Sequence, residues 1–443
     1  MATVVLARRR YPRIEAGHPW VFRTEVDAVR GTFEPGDLVE VADHRGRFLG
    51  RGYINPASQI LVRLLTRADE PIDAAFFLDR VSRAWEYRRR VLGAEPWALE
   101  SCRAIFGEAD GLPALIVDRF RDILVVQSLA LGIEVRMPLV VEALRQVFAP
   151  RGIYARNDVP VRSLEGLGQG KGWLLPPEGA GEGPESGAGT ASPAGEAGPA
   201  PRDRTGGEPW GGEPAGSASA TPADLAMPQP IAIREGPVTF RVDYASGQKT
   251  GFFLDQRENR LAVARLLRGA RVLDAFAYTG GFGLQALAAG AREVVAVESS
   301  TEASALAHAN AALNGVAERY QAVTANAFDH LRALDRARER FDAVILDPPA
   351  FVKGRAALEG ALRGYKEINL RALRILAPGG LLITCSCSYH LGEDEFRSVV
   401  LEAAVDAGRN LRVIEARGQA RDHPVLLAAP ETRYLKCLVA EVG

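Results

Sequence analysis

The run RVLDAFAYTGGFG, from Arg271 to Gly283, limits the possible folds of this chain more than any other stretch. Its first residues are mostly apolar and are typical of a buried parallel strand. Its closing glycines, which include Gly280, predict a turn into a helix that begins near Leu284. In a strand, glycine turn and helix of this kind, small residues let a ligand approach the backbone, and the strand-end carboxylate of Asp274 accepts from a polar or cationic group.

Three further strand-like runs follow, and each ends in polar residues. The run Glu293–Glu298 ends in an acid about twenty residues on, where a ribose diol would sit. The run 323–329 contains Asn326, and the run 341–351 contains Asp347 followed by two prolines. A nucleotide-binding dehydrogenase accounts for the first two motifs but not for the Asp-Pro-Pro turn.

This ordered series resembles the class I S-adenosylmethionine-dependent methyltransferases. Four motifs narrow the match: GQKTGFFLDQR (247–257), DAFAYTGGFG (274–283), LDPPAF (346–351) and CSCS (385–388). They resemble the large-subunit ribosomal RNA cytosine-C5 methyltransferase family that carries an N-terminal PUA domain. The resemblance covers nearly the whole chain and implies an α/β, Rossmann-like methyltransferase domain at the C-terminus. It also implies S-adenosyl-L-methionine as cofactor, 23S ribosomal RNA as partner, and a homodimer.

The resemblance assigns the cofactor contacts to individual residues. Asp274 faces the methionine end of the cofactor, and Glu298 takes the ribose hydroxyls. Asn326 and Ala327 meet the adenine. The remaining contacts that we expect lie in the same motifs: Lys249, Thr250, Gly251, Phe252, Asp255, Arg257, Phe276, Tyr278, Gly280, Phe328 and Asp347. An ion pair between Lys249 and Asp255 is an alternative role that does not exclude the cofactor contact.

Methylation at C5 of cytosine needs prior activation of the ring, because this carbon is a poor nucleophile. A thiolate that adds to C6 solves the problem, since it makes C5 a carbanion-like centre that attacks the methyl group. Cys385 and Cys387 follow one another two residues apart on a predicted strand, so we expect both to face the same side. The resemblance favours Cys387 as the nucleophile, with Cys385 second. We expect no metal, because no second ligand pair follows at zinc spacing.

Release of the product needs a group that handles a proton. Related RNA cytosine enzymes often carry an additional cysteine beside the proline of the fourth strand, but here Pro348 and Pro349 stand there. Asp347 is the natural candidate, either for proton transfer or for holding the amino group of the base. The target cytosine must be flipped out or unpaired to reach such a pocket.

Composition places the chain among cytoplasmic proteins. The 443 residues carry a formal net charge of −1, so any affinity for RNA must come from local patches. The four cysteines do not form a disulfide framework and suit a reducing compartment. The N-terminal apolar run is too short for a signal peptide, and no stretch is long enough for a membrane span.

The chain divides into four predicted parts. Residues 1–71 alternate short strands and turns, which suggests a small β-barrel, PUA-like by resemblance. Residues 72–175 with 229–244 form an α+β middle domain, and 245–443 the methyltransferase domain. Residues 176–228 are of low complexity and are expected to be disordered.

Two groups of basic residues stand out in the first two parts. Near the N-terminus, arginines alternate with an aromatic residue, as in an RNA-binding surface. Solvated arginines beside a packed tryptophan would give the same sequence pattern. The PUA resemblance favours the RNA-binding interpretation. These residues are Arg8, Arg9, Arg10 and Trp20. A helix is predicted over Ala74–Leu92, and its arginines, including Arg88, are expected to form a solvated face.

Alternative functions stay open on the sequence alone. A related enzyme with the same Asp-Pro-Pro turn methylates guanine N7 and needs no cysteine. A non-catalytic protein could use both folds only to hold RNA. A methyltransferase for small molecules or proteins would leave the N-terminal third without a purpose.

Overall fold

The structure is a computed structural model that describes residues 1–8, 11–177, 229–351 and 358–443. Within these ranges the chain forms three larger sheets and one two-stranded hairpin, in sequence order. Of the segment predicted to be disordered, residues 178–228 lie outside the described residues, as do Arg9 and Arg10. None of the described helices is long and apolar enough to cross a membrane.

The N-terminal sheet has six strands in the order β2-β6-β5-β4-β1-β3. Its elements are β1 Ala2–Leu6, α1 Pro12–Glu15, β2 Trp20–Phe22, β3 Val26–Arg30, β4 Leu38–Ala42, β5 Phe48–Ile54 and β6 Ile60–Thr66. All pairings except β1 with β4 are antiparallel. Fully buried aliphatic side chains such as Val4, Val39 and Val62 form one core.

The middle part places helices on a five-stranded sheet of order β11-β10-β9-β8-β7. Its strands are β7 Ser101–Phe106, β8 Leu115–Phe120, β9 Ile123–Ser128, β10 Gly152–Arg156 and β11 Lys171–Leu175. Its helices are α2 Ala74–Leu92, α3 Pro96–Glu100, α4 Leu131–Val135 and α5 Met137–Phe148. Helix α2 has the bounds predicted from the sequence, because Asp73 caps its N-terminus by accepting from the backbone N–H of Phe76.

Arg88 departs from the prediction of a solvated basic face on α2. It is fully buried, and its guanidinium pairs with Asp110 at 2.5 Å and donates to the carbonyl oxygen of Asp422. The arginine is therefore part of a contact between the middle part and the C-terminal part. Arg83 on the same helix is exposed, as expected.

A hairpin of β12 Ile231–Glu235 and β13 Val238–Val242 joins the middle and C-terminal parts. Its buried residues Ile233 and Phe240 share one apolar cluster with Ile123 of β9 and Val272 of the C-terminal sheet. This shared core fixes the middle part against the sheet that carries the predicted cofactor motifs.

The C-terminal sheet has seven strands in the order β16-β15-β14-β17-β18-β20-β19. Its strands are β14 Arg271–Ala275, β15 Glu293–Glu298, β16 Tyr320–Thr324, β17 Phe341–Leu346, β18 Leu376–Ser386, β19 Leu411–Arg417 and β20 Lys436–Val442. Its helices are α6 Arg257–Ala264, α7 Gly281–Ala288, α8 Thr301–Leu313, α9 Ala327–Arg336, α10 Leu358–Ile375 and α11 Glu393–Ala407. The first five strands in this order are parallel, and β20 runs antiparallel to both β18 and β19.

Both faces of the C-terminal sheet are buried. Val272 packs in the cluster on one face, whereas its neighbour Leu273 packs in the cluster on the other face. Continuous apolar strands are typical of a parallel sheet covered by helices on both sides. The carboxyl ends of the parallel strands consequently meet at one edge, where ligands bind in open α/β sheets.

The glycine turn after β14 is shorter than predicted. Helix α7 begins at Gly281 rather than near Leu284, because Gly280 takes the left-handed backbone conformation (φ 86°) and completes the turn by itself. Gly283 therefore lies inside the first helical turn, and a Cβ atom there would come within 2.8 Å of Val294.

Candidate active site

A cavity of about 540 Å³ opens at the carboxyl ends of β14, β15, β17 and β18. This volume lies within the range of about 300–1,000 Å³ that is usual for cofactor and substrate pockets. Many of the residues singled out in the sequence line it: Lys249, Phe252, Asp255, Asp274, Phe276, Tyr278, Glu298, Asn326, Ala327, Phe328, Asp347 and Cys387. The parallel topology thus brings together motifs that are up to about 140 residues apart in sequence.

Asp274 anchors the glycine turn at the floor of the cavity. Its Oδ2 accepts a hydrogen bond from the backbone N–H of Gly283 at 2.8 Å. Burial raises the pKa of Asp274 to about 7, although the bond from Gly283 opposes the shift. A cationic ligand group beside this carboxyl would favour its ionised form.

Glu298 and Asn326 stand at the ends of the next two strands. Glu298 accepts hydrogen bonds from the backbone N–H groups of Tyr278 and Ser300, both at 2.9 Å. Asn326 caps α9 by accepting from the backbone N–H of Phe328. The two polar side chains are thereby held in place at the rim, about where a ribose and a base edge would lie.

Three side-chain-bearing residues of the cavity wall have left-handed backbone conformations. They are Lys249 (φ 51°), Phe276 (φ 66°) and Tyr278 (φ 49°). Such conformations cost free energy for residues other than glycine and cluster at functional sites. Lys249 also places its ammonium 4.7 Å from the centre of the Phe253 ring, and the described ion pairs do not include one between Lys249 and Asp255.

The two candidate thiols occupy different environments. Strand β18 ends at Ser386, so Cys387 has left the strand and lines the cavity, with its sulfur 3.9 Å from the carbonyl oxygen of Pro348. Cys385 is fully buried in the strand opposite Cys437 and is not among the lining residues. Burial raises the pKa of the Cys387 thiol to about 11, and the charge of Lys249 opposes this shift.

Two carboxyl groups flank this end of the cavity. Asp347 accepts a hydrogen bond from the side-chain amide of Gln256 at 2.8 Å, and burial together with the charge of Asp255 raises its pKa to about 7. Burial also raises the pKa of Asp255, but the charges of Lys249 and His423 outweigh it and hold this pKa below its ordinary value. One member of the pair is therefore ionised at neutral pH, while the other retains a proton for much of the time.

Four residues predicted to contact the cofactor lie outside the lining, as does Cys385 among the predicted catalytic residues. Thr250 donates its hydroxyl to Asp118, and Arg257 is buried against the carbonyl oxygen of Ser101. Gly251 packs so closely on the backbone of residues 243–244 that a Cβ atom would lie 2.6 Å from a carbonyl oxygen. Gly280 shapes the turn, with a Cβ atom there 2.8 Å from the hydroxyl of Tyr320.

Middle-part residues hold the 247–257 segment in place. The guanidinium of Arg156 donates to the carbonyl oxygens of Tyr244 and Gly247, both at 2.8 Å. Asp118 is fully buried, pairs with Arg103 and accepts from Thr250. The α+β part therefore positions one wall of the cavity.

Replacement of Asp118 with alanine should lower the free energy of unfolding by about 3–5 kcal/mol, because it leaves Arg103 buried without its partner. The change is measured as a shift in the urea-unfolding curve. Asp122→Ala is the matched control, since the Asp122–Arg151 pair is about half exposed and such pairs contribute roughly 0–1 kcal/mol. Equal effects of the two changes would contradict the assignment of Asp118 as an anchor.

Of the predicted RNA-binding residues, the structure describes Arg8 and Trp20. Arg8 is exposed, in agreement with a surface role. Trp20 donates its indole N–H to Glu108 of the middle part at 2.9 Å and stacks edge-on against His18. Trp20 is thus a contact between parts of the chain, and the packed-tryptophan alternative fits it better.

Several lining residues were missed in the sequence. Gln256 lies inside a quoted motif but was not singled out, and Tyr434 lies far downstream with no motif around it. Tyr365 does not line the cavity; it is fully buried and hydrogen-bonded to the hydroxyls of Ser386 and Ser388.

Comparisons with known proteins agree with this geometry. Residues 4–67 match the PUA-like domain family, and residues 227–435 match the S-adenosylmethionine-dependent methyltransferase family. The ribosomal RNA large subunit methyltransferase I of Cronobacter sakazakii is 37% identical over 441 residues, covering 99% of both chains. The enzyme of the same name from Aeromonas hydrophila is 38% identical and covers 99% of this chain and 98% of its own.

Solved structures show the same fold at lower identity. A Streptococcus mutans protein assigned as a SAM-dependent methyltransferase is 18% identical, with a TM-score of 0.75 over 100% of both chains. A second structure, of a protein assigned as a methyltransferase in complex with SAH, is 17% identical with a TM-score of 0.76 over 100% of both chains. The predicted fold class and the predicted cofactor are confirmed by these similarities.

Proposed function

Because this chain belongs to the ribosomal RNA large subunit methyltransferase I family, we propose that it methylates C5 of a cytidine in 23S ribosomal RNA through a covalent Cys387 adduct. Its general activity is that of a S-adenosylmethionine-dependent RNA methyltransferase. The cytosine specificity and the adduct are the parts that we propose. The observation that carries them is the position of Cys387, which is the thiol that lines the described cavity, beside Asp347.

The cavity fits S-adenosylmethionine. It combines apolar walls, including Phe276 and Phe328, with acids at Asp274 and Glu298, and the sulfonium and ribose of the cofactor require this combination. When bound, the cofactor supplies an electrophilic methyl group. Asp274 would lie at its methionine end, Glu298 at its ribose and Asn326 at its adenine.

The residues around Cys387 can prepare a cytosine for methylation. The Cys387 thiolate attacks C6, and the charge of Lys249 favours this thiolate over the thiol. Asp347, when protonated, donates its proton toward N3 of the ring, which draws electrons from C6 and assists the attack. Gln256 holds the carboxyl of Asp347 through the hydrogen bond from its side-chain amide.

Incorporation of 5-fluorocytidine into a large-subunit ribosomal RNA transcript tests the adduct directly. Fluorine at C5 cannot leave as a proton does, so the methylated adduct cannot resolve. We expect a protein–RNA complex that survives SDS and requires S-adenosylmethionine. Absence of this complex, with methylation of ordinary RNA intact, would contradict the covalent mechanism.

Glu298→Gln should raise the dissociation constant of S-adenosylmethionine about 10- to 100-fold, as expected for the loss of hydrogen bonds to a charged group worth about 1.5–3 kcal/mol. Isothermal titration calorimetry measures this constant. Glu302→Gln is the matched control, because Glu302 lies in the same segment but does not line the cavity. An unchanged constant for Glu298→Gln would remove Glu298 from the cofactor site.

We also propose that the chain forms a homodimer through the outer edge of the C-terminal sheet. The outermost strand β19 exposes Val413 and Ile414, and α11 exposes Leu401 and Val405 one turn apart. Exposed apolar residues beside an unpaired strand edge favour association. Light scattering should give a dimer for the wild type and a monomer for Val413→Lys, whereas Leu164→Lys, at an exposed leucine of the middle part, should stay dimeric. A wild-type monomer contradicts the proposal.

A further inference from the structure

Asp255 has a feature that cofactor binding does not explain. Its side chain is buried, and Oδ2 accepts a hydrogen bond from the hydroxyl of Tyr434 at 2.6 Å. Its other oxygen, Oδ1, is also buried and has no hydrogen-bond partner within the described part of the chain. A buried carboxylate oxygen without a partner is costly, so it calls for a ligand or a chemical role.

The surroundings of Asp255 place it at the Cys387 end of the cavity. Its partner Tyr434 lies just before β20, and the first residue of β20 pairs with the last residue of β18, beside Cys387. Asp255 therefore lies at the end of the cavity where the reacting base would sit.

The proposed reaction still needs a base for its last step, because Asp347, the candidate from the sequence, acts as the acid at N3. After methyl transfer, C5 carries both the new methyl group and its original proton, while C6 is bonded to the sulfur of Cys387. A base must take the proton before the sulfur can leave. The position beside the Asp-Pro-Pro turn, where related RNA enzymes often carry an additional cysteine, holds Pro348 and Pro349 here.

We infer that Asp255 is the base that removes the C5 proton, an inference that rests on the proposed cytosine-C5 methylation. The Asp255 carboxylate takes the proton, the C5–H electron pair forms the C5=C6 double bond, and the C6–S bond breaks with its pair on sulfur. Cys387 returns as a thiolate, N3 gives its proton back to Asp347, and Asp255 later loses its proton to solvent. Tyr434 is the positioning residue, because its hydroxyl holds Oδ2.

This division separates the roles of the two carboxyl groups. Asp347 shares its surroundings with Asp255, and the two charges repel each other. A protonated Asp347 suits the acid that assists attack at C6, and an ionised Asp255 suits the base that follows. Loss of each group should therefore stop the reaction at a different stage.

The experiment uses the full chain, ordinary ribosomal RNA and S-adenosylmethionine with a tritiated methyl group. In Asp255→Asn we expect a methyl-labelled protein–RNA complex to accumulate on SDS gels, while release of methylated RNA falls about 10²- to 10⁴-fold. Asp347→Asn should form less of the complex and less product, because attack at C6 is slowed. Asp255→Glu retains a carboxylate and should restore part of the release. Calorimetry should give an unchanged cofactor dissociation constant for Asp255→Asn.

Normal turnover of Asp255→Asn would overturn the inference. So would the loss of both complex and product in this variant while it still binds the cofactor. A third contradicting result is the loss of cofactor binding in a variant whose melting temperature equals that of the wild type. If Asp255→Asn does not fold, the lifetime of the covalent complex is measured in Asp255→Glu instead. A lifetime equal to that of the wild type would contradict the assignment of Asp255 as the base. A wild-type enzyme that yields no 5-methylcytidine would refute the proposed function itself, and the inference with it.

Discussion

Replacement of Cys387 with alanine is expected to reduce methyl transfer to RNA by about 10⁴-fold or more, because the variant lacks the nucleophile that activates the ring. The structure supports this expectation through the position of the thiol just beyond the end of β18, in the cavity wall. The measurement is incorporation of label from tritiated S-adenosylmethionine into a large-subunit ribosomal RNA transcript. Cofactor binding should persist, since Cys387 faces the substrate end.

Cys385→Ala is the matched control for this experiment. The sulfur of Cys385 is fully buried against Cys437, so its removal should change packing and leave the rate within a few-fold of the wild type. Loss of activity in Cys385→Ala with a normal rate in Cys387→Ala would reverse the assignment. Full activity in both variants would point to chemistry that needs no thiol.

Replacement of Asp347 with asparagine is the second change with a large expected effect. Asparagine keeps the shape and can still accept from Gln256, but it cannot transfer a proton to the ring. General acid catalysis contributes typically 10²- to 10⁴-fold, so kcat/KM should fall by about that factor. The Asp347→Asn protein should also form less of the 5-fluorocytidine complex.

The pH dependence of the free enzyme distinguishes this role from a structural one. Attack requires the Cys387 thiolate and a protonated Asp347, whose pKa values are raised by burial to about 11 and about 7. Below pH 7 the acid is protonated, so kcat/KM should rise about tenfold per pH unit with the thiolate fraction. Above pH 7 the thiolate fraction of Cys387 still rises while the protonated fraction of Asp347 falls. The two changes cancel, so kcat/KM stays constant with pH.

Asp347→Asn should remove the flat region. Its kcat/KM starts lower but continues to rise above pH 7, because only the thiol still titrates in this range. A profile of unchanged shape in the variant would show that the proton of Asp347 plays no part.

Elements with a strong local pattern were predictable from sequence. Helix Ala74–Leu92 and strand Glu293–Glu298 have the predicted bounds, because apolar periodicity and capping residues are local signals. The grouping of Asp274 and Glu298 was also predictable, since parallel strands place their carboxyl ends together.

Features that depend on tertiary partners were not predictable. Which of the two thiols lines the cavity depends on the end of β18 at Ser386, and no sequence signal marks that end. In the sequence, Arg88 resembles the surface arginines around it. It is buried in the fold because Asp110, from another element, pairs with it. Tyr434 reaches Asp255 across the fold, with no spacing rule that connects the two.

The assignment of this chain as a cytosine-C5 methyltransferase is tested most directly by the nucleoside that it makes. The protein is incubated with unmodified large-subunit ribosomal RNA and S-adenosylmethionine, and the digested RNA is examined by mass spectrometry, with assembled subunits as a parallel substrate. The geometry around Cys387 and Asp347 predicts 5-methylcytidine. Formation of 7-methylguanosine instead would leave the fold and the cofactor in place but contradict the roles of both residues.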